Sequence, residues 1–339
     1  MSTIGVLGAG SWGTTLALHL ERQGHAVRLW EFDAARAREV AATRLSLPFL
    51  PEHPLPTTIR VTASLEEALD AAPIAVIVVP SHAVRGLGEQ VAAGGATPGP
   101  EIWVSAAKGI EEASGLTPRV VFSRASGIPE ERIVVLAGPS FAAEVAVQLP
   151  TAVLAAGSDA QATERVQAAF SSDAFRVYTS ADPLGVEIGV AVKNVIAIAA
   201  GIAEGLGLGR NALGALLTRG LAETMRLGVR LGARPETFLG LAGIGDLVIT
   251  STSELSRNYR VGLGLARGRG LSEILIELRM VAEGVRTCRA IVELAGRHGV
   301  EMPITTQVHA VLFEGRDPRR AVLELMRRPL RPEFRGVAE

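Results

Sequence analysis

The first half of the chain alternates short, continuously apolar runs with stretches whose apolar residues recur every three to four positions. The runs Ile4–Leu7, Ala26–Trp30, Ile59–Thr62, Ile74–Val79, Trp103–Ala106 and Ile133–Leu136 predict strands, the fourth stopped by Pro80. Continuous apolarity implies strands buried on both faces, the pattern of a parallel sheet covered by helices. Between these runs, Thr14–Gln23, Ala34–Thr43 and Leu65–Ala71 predict helices. The first ends at Gly24. The third opens on Ser64 as N-cap with Glu67 three residues on, a capping box.

After Asp182-Pro183 the texture changes to long helical periodicities: Leu184–Ala203, Leu213–Leu231, Val281–His298 and Ile304–Phe313. No convincing strand alternation accompanies them. The predicted fold class is therefore α/β: a mostly parallel sheet with helices on both faces over residues 1–182, followed by an all-helical C-terminal domain over 183–339. The tail Arg327–Glu339, with two prolines, is expected to fray. The most apolar stretch, Gly185 to Gly205, carries Glu187, Lys193, Asn194 and Glu204, which predicts a buried helix with functional polar groups rather than a membrane span.

Composition narrows the class. At 339 residues the chain can build two cores, and 48% apolar with only 4% aromatic residues suits a tightly packed α/β protein. A net charge of −1 gives no footing for nucleic acid. The single cysteine, Cys288, excludes an internal disulfide and fits a reducing cytoplasm. The six histidines are scattered without metal-ligand spacing. No basic flank precedes the first strand, so no signal peptide is expected. Of the 34 Lys and Arg residues only two, Lys108 and Lys193, are lysine. Arginine has taken the sites where any cation serves. An ammonium is compact and gives up its proton when desolvated, so the two survivors are candidates for proton transfer or substrate contact.

Between the first strand and the first helix lies Gly8-Ala9-Gly10-Ser11-Trp12-Gly13, a G-x-G-x-x-G in the strand–turn–helix setting of a Rossmann dinucleotide site. Gly8 permits the turn, Gly10 admits a pyrophosphate, and Gly13 lets helix and strand pack closely. The second strand ends in Trp30-Glu31-Phe32-Asp33. A carboxylate there can hold a ribose 2′-hydroxyl and repels a 2′-phosphate, whereas Arg36 and Arg38 could meet that phosphate. NAD(H) and NADP(H) both stay open.

Taken together, the motifs are highly specific. The N-terminal set is the Gly-rich turn, Val79-Pro80-Ser81, Ala107-Lys108-Gly109 and Gly138-Pro139-Ser140-Phe141-Ala142. The C-terminal set is Ala191-Val192-Lys193-Asn194-Val195, Gly243-Ile244-Gly245-Asp246-Leu247, Ser256-Arg257-Asn258 and Val281-Ala282-Glu283-Gly284. Over nearly its whole length the chain resembles the bacterial NAD(P)-dependent glycerol-3-phosphate dehydrogenases. The family often carries a His or Arg near Phe32 and Asp33, and this chain departs from it there. The resemblance implies a Rossmann domain and a helical domain with substrate held between them. It also implies interconversion of dihydroxyacetone phosphate and sn-glycerol 3-phosphate for phospholipid synthesis. Another two-domain dehydrogenase, of the β-hydroxyacid or ketopantoate type, is the nearest rival, and a non-catalytic nucleotide-binding regulator is a more distant one.

Residue roles follow. Lys193 lies among Val190, Val192, Val195 and Ile196, where desolvation would bring its pKa toward working pH, as a general acid/base needs. Carried over from the family, Lys193 is the catalytic proton acceptor in oxidation. Substrate contacts carried over are Lys108, Gly138, Ser140, Lys193, Asp246, Ser256, Arg257 and Asn258. Pro139 and Ser140 could open a helix whose N–H groups face the substrate. Asp246, read as part of a loop, would orient Lys193 or accept from a substrate hydroxyl. Ser256-Arg257-Asn258 suits a phosphate grip, since arginine binds phosphate bidentately. Cofactor contacts carried over are Gly8, Gly10, Ser11, Trp12, Gly13, Phe32, Asp33, Lys108, Ala142, Arg257, Val281 and Glu283. The expected partner is the small-molecule substrate, without nucleic acid or a membrane span. A homodimer is left open.

Overall fold

The computed structural model of the chain describes residues 2–94, 99–330 and 332–333. The chain divides into two compact units: Met1–Ala107 with Pro118–Pro183, and Lys108–Thr117 with Leu184–Glu339.

The first unit holds an eight-stranded sheet. In chain order its elements are β1 (Thr3–Leu7), α1 (Ser11–Arg22), β2 (Ala26–Trp30), α2 (Ala34–Thr43), β3 (Arg60–Thr62), α3 (Leu65–Leu69), β4 (Ile74–Ile77) and α4 (Val84–Gly94). There follow β5 (Ile102–Ser105), α5 (Pro118–Ser126), β6 (Ile133–Ala137), α6 (Ala142–Ala146), β7 (Thr151–Ala156), α7 (Ala160–Phe170) and β8 (Phe175–Ser180). The strand order is β3-β2-β1-β4-β5-β6-β7-β8. β1 to β6 are parallel, β7 runs antiparallel to β6, and β8 is parallel to β7. The order reverses between β1 and β4, the switch point beyond whose strand ends such sheets bind ligands. The inner strands are buried at every position of β4, β5 and β6, which explains their unbroken apolar runs.

The six expected strands are all present, with the fourth ending at Ile77 rather than Val79. The sheet has two more, β7 and β8. The helix expected at Pro139 and Ser140 opens instead at Ala142, with Phe141 as N-cap. Ser64 does cap α3, accepting from the Glu67 N–H.

The second unit is helical: α8 (Pro183–Gly205), α9 (Gly209–Arg230), α10 (Asp246–Thr252), α11 (Arg257–Ala266), α12 (Leu271–Leu278), α13 (Glu283–His298), α14 (Pro303–Phe313) and α15 (Pro318–Met326). α8 is long and apolar enough to cross a membrane, but its most apolar stretch is wholly buried. Ile188, Val192, Val195 and Ile196 of α8 pack with Leu227, Phe238, Leu247, Val261 and Ile291. Ile110, from the segment that leaves the sheet after β5, joins the same core. In the expected tail, Arg327–Leu330, Pro332 and Glu333 lie beyond the last helix, and Arg331 and Phe334–Glu339 fall outside the described residues.

Candidate active site

The Gly-rich turn of the first unit divides its labour among three glycines. Gly8 has φ 128°, a left-handed-side conformation suited to glycine, and a Cβ there would stand 3.0 Å from the Val78 carbonyl oxygen beyond β4. A Cβ on Gly13 would collide with the Gly8 carbonyl oxygen, so α1 can lie against the turn only without one. A Cβ on Gly10 would meet nothing within 4 Å, which leaves an open face at the start of α1. Gly10 is the N-cap of α1 and has no side chain with which to cap it. N–H groups at an open helix start are what a pyrophosphate needs, so the residues fit a dinucleotide. Ser11 donates to the Phe49 carbonyl (2.9 Å) and Trp12 packs against the sheet core.

At the end of β2, neither carboxylate is idle. Asp33 caps α2 by accepting from the N–H groups of Ala35 and Arg36 (2.8 and 2.9 Å), and these bonds hold its carboxyl below the usual carboxylate range. Glu31 is buried and ion-paired with Arg36. Phe32 between them is 78% exposed. At the end of β6, Gly138 has φ 142°, and Ser140 donates its hydroxyl to the Gly138 carbonyl (3.0 Å). Ala142 is tied to α1, its carbonyl accepting from Thr15 Oγ1 at 3.2 Å.

In the second unit three predicted residues meet. Asp246, 1% exposed, accepts from Lys193 Nζ at one carboxylate oxygen and from Lys108 Nζ (3.1 Å) at the other. Asp246 is the first residue of α10, following a π-helical turn over Leu241–Gly245, rather than part of an open loop. Lys193, near the middle of α8, also donates to Thr250 Oγ1 (2.8 Å), one turn along α10 from Asp246. Burial pushes the Lys193 ammonium down to about 7; Asp246 pulls it back up and Lys108 opposes that. Burial would raise the Asp246 carboxyl, but the two lysines hold it below its ordinary value. The result is a carboxylate that stays charged beside an amine poised to give or take a proton near neutrality.

The remaining predicted residues of this unit lie on α11 and α13. Ser256 is the N-cap of α11 and accepts from the Tyr259 N–H at 3.3 Å. Asn258 donates to Asn194 Oδ1 and accepts from the Gly284 N–H, both at 2.9 Å, so it links α8, α11 and the start of α13. Arg257 sits at the start of α11; burial lowers its pKa and the Glu283 carboxylate opposes that shift. Val281 is exposed just ahead of α13. Gly138, Ser140 and Ala142, by contrast, belong to the sheet unit, as do the Gly-rich turn, Phe32 and Asp33.

Thr250 escaped the sequence reading. A helical Asp246-Leu-Val-Ile-Thr250 places the two on one face, but the glycines before Asp246 suggested a loop. The sequence offers Arg36 only as a phosphate ligand, and its grip on Glu31 is not legible from spacing.

Comparison with known proteins places these motifs in context. Residues 3–163 match the family model for the NAD-dependent glycerol-3-phosphate dehydrogenase N-terminus, and residues 182–323 match that for the C-terminus. A glycerol-3-phosphate dehydrogenase [NAD(P)+] of Geobacter sulfurreducens is 51% identical over 97% of this chain and 98% of its own length. That of Koribacter versatilis is 50% identical with the same coverage. The crystal structure of glycerol-3-phosphate dehydrogenase from Coxiella burnetii superposes with a TM-score of 0.90 at 38% identity, covering 96% of this chain and 99% of that one.

Proposed function

Because the chain belongs to the NAD-dependent glycerol-3-phosphate dehydrogenase family, we propose that it interconverts dihydroxyacetone phosphate and sn-glycerol 3-phosphate, supplying the latter for glycerophospholipid synthesis. The observation that carries the reading is the cluster in which the buried Asp246 holds both the buried Lys193 and the partly exposed Lys108. When bound, the nicotinamide of NAD(H) or NADP(H) supplies or accepts the hydride.

The chain's own groups do the rest. Protonated Lys193 gives its proton to the C2 oxygen in reduction, and neutral Lys193 takes it back in oxidation. Asp246 fixes the amine together with Thr250 and keeps it from drifting toward solvent. Lys108, held by the same carboxylate, presents the second cation and polarises the ketone oxygen. Ser256, Arg257 and Asn258 are assigned to the substrate phosphate: the N–H groups at the start of α11 and the Arg257 guanidinium are a matched set of anion donors. Ser140, whose hydroxyl proton goes to Gly138, is left with lone pairs that suit a substrate hydroxyl. Gly138 completes that turn.

Gly8, Gly10, Ser11, Trp12, Gly13, Phe32, Asp33 and Ala142 of the sheet unit are assigned to the dinucleotide, with Lys108, Arg257, Val281 and Glu283 of the helical unit. In this reading residues 1–182 supply most of the cofactor contacts and 183–339 most of the substrate chemistry, with Lys108, Gly138 and Ser140 serving the substrate and Arg257, Val281 and Glu283 the dinucleotide. A cytoplasmic location accords with Cys288, a buried thiol whose pKa burial pushes up to about 12.

The test is oxidation of NADH on addition of dihydroxyacetone phosphate to the purified protein, followed by identification of sn-glycerol 3-phosphate. Turnover of a β-hydroxyacid or of ketopantoate in its place would overturn the assignment.

A further inference from the structure

A doubly wound fold delivers the adenosine ribose to the end of β2, where a bare carboxylate selects a 2′-hydroxyl and rejects a 2′-phosphate. In this chain the carboxylate is not bare. The Glu31 side chain is 4% exposed and its second oxygen is clamped by Arg36 Nη1. Arg36 Nη2 donates to the Ala9 carbonyl of the Gly-rich turn (2.9 Å) and to Ser46 Oγ (3.1 Å). Ser46 in turn donates to the same carbonyl at 2.8 Å. The guanidinium lies over the Phe49 ring, 4.5 Å from its centroid. A cation has thus been fixed against the Gly-rich turn, and 22% of its side chain remains exposed. Its Nε is buried with no hydrogen-bond partner among the described residues, and Nη1 keeps a further N–H beyond the one given to Glu31. The other carboxylate of the strand end, Asp33, is committed to capping α2.

We propose that the Glu31–Arg36 pair is the cofactor discriminator of this protein: Arg36 cancels the repulsion of Glu31 and supplies the counter-charge for a 2′-phosphate, so that both NADH and NADPH are accepted. The proposal rests on the nucleotide reading given above and deepens it. Arg36, rather than Arg38, carries the role, because Arg36 is fixed by four separate contacts, to Glu31, Ser46, Phe49 and the Ala9 carbonyl of the turn, while Arg38 is solvent-exposed.

Calorimetric titration of the full chain with NADH and with NADPH, without substrate, reads the pair directly. In the wild type the two dissociation constants lie within about tenfold of each other. Arg36→Ala leaves Glu31 uncompensated, so NADPH weakens by about tenfold or more while NADH changes by less than about threefold. Glu31→Gln removes the repulsion and shifts the preference toward NADPH. It retains Arg36, so it decides the matter should Arg36→Ala fold poorly. An equal loss for both dinucleotides in Arg36→Ala, or no shift of preference in Glu31→Gln, overturns the proposal and makes Arg36 a strut of the turn. Failure of the wild type to bind either dinucleotide would overturn the nucleotide reading itself.

Discussion

Lys193 owes its chemistry to where α8 puts it. An ammonium at an exposed site holds its proton at any physiological pH, whereas burial among valines and isoleucines brings this one down to about 7. Arginine at the same place would stay charged. Lys193→Arg is therefore expected to lower turnover by about two to four decades while leaving nucleotide affinity within a small factor, as measured by steady-state kinetics and titration. Near-full activity of Lys193→Arg would remove the proton-transfer role.

In the proposed mechanism Thr250, which accepts from Lys193, is the positioning partner. Thr250→Val keeps the shape but withdraws an acceptor that favours the charged amine. Its expected signature is a lower apparent pKa in the reductive pH profile with little change in KM; a KM effect alone would place Thr250 elsewhere. At this scale the sequence was informative where composition isolated a residue: two lysines among 34 basic residues, both on one carboxylate. It was silent on Thr250, whose part depends on α10 starting one turn earlier than its glycines suggest.

Among the elements, α14 shows how a buried charge is used for architecture. Glu223 of α9, 2% exposed, accepts from the Ile304 N–H (2.7 Å), the Thr305 N–H and the Thr305 hydroxyl (both 3.2 Å). A side chain from another helix thus satisfies the start of α14, since Met302 supplies no cap. Burial pushes the Glu223 carboxyl up to about 7, with the three donors pulling the other way. Glu223→Gln would turn an amide N–H₂ toward one of those donors. The expected cost is about 1–3 kcal/mol of stability, read as a lowered denaturation midpoint at a pH well above 7 with kinetics otherwise retained. An unchanged midpoint would mean that water can replace the cap.

The elements also show what hydropathy patterns conceal. The inner strands were legible because they are buried on both faces. β8 is an edge strand that alternates buried Phe175 and Val177 with exposed Arg176 and Tyr178, so a search for unbroken apolar runs passes over it. β7, rich in alanine, carries little β signal of its own, and it pairs antiparallel with the preceding strand β6, against the parallel plan of β1 to β6.

On the scale of the whole molecule, the two-unit plan was visible in the change of texture near Asp182. The departure of Lys108–Thr117 from the sheet unit was not, because ten residues between β5 and α5 have no periodicity to betray which core Ile110 joins. That departure carries one of the two lysines to the carboxylate that holds the other.

The central claim is that Lys193 passes the proton between the amine and the substrate oxygen. The pH dependence of kcat/KM in the two directions tests it most directly. Reduction of dihydroxyacetone phosphate needs protonated Lys193, so its rate is expected to hold on the acid side and fall about tenfold per pH unit above about 7. Oxidation of sn-glycerol 3-phosphate needs the neutral amine, so its rate is expected to rise through about 7 and then level. The substrate phosphate, which also titrates near about 6, acts in the same sense in both directions and cannot imitate opposed curves. Opposed profiles crossing near neutrality are the result this account predicts; profiles that rise or fall together would contradict it.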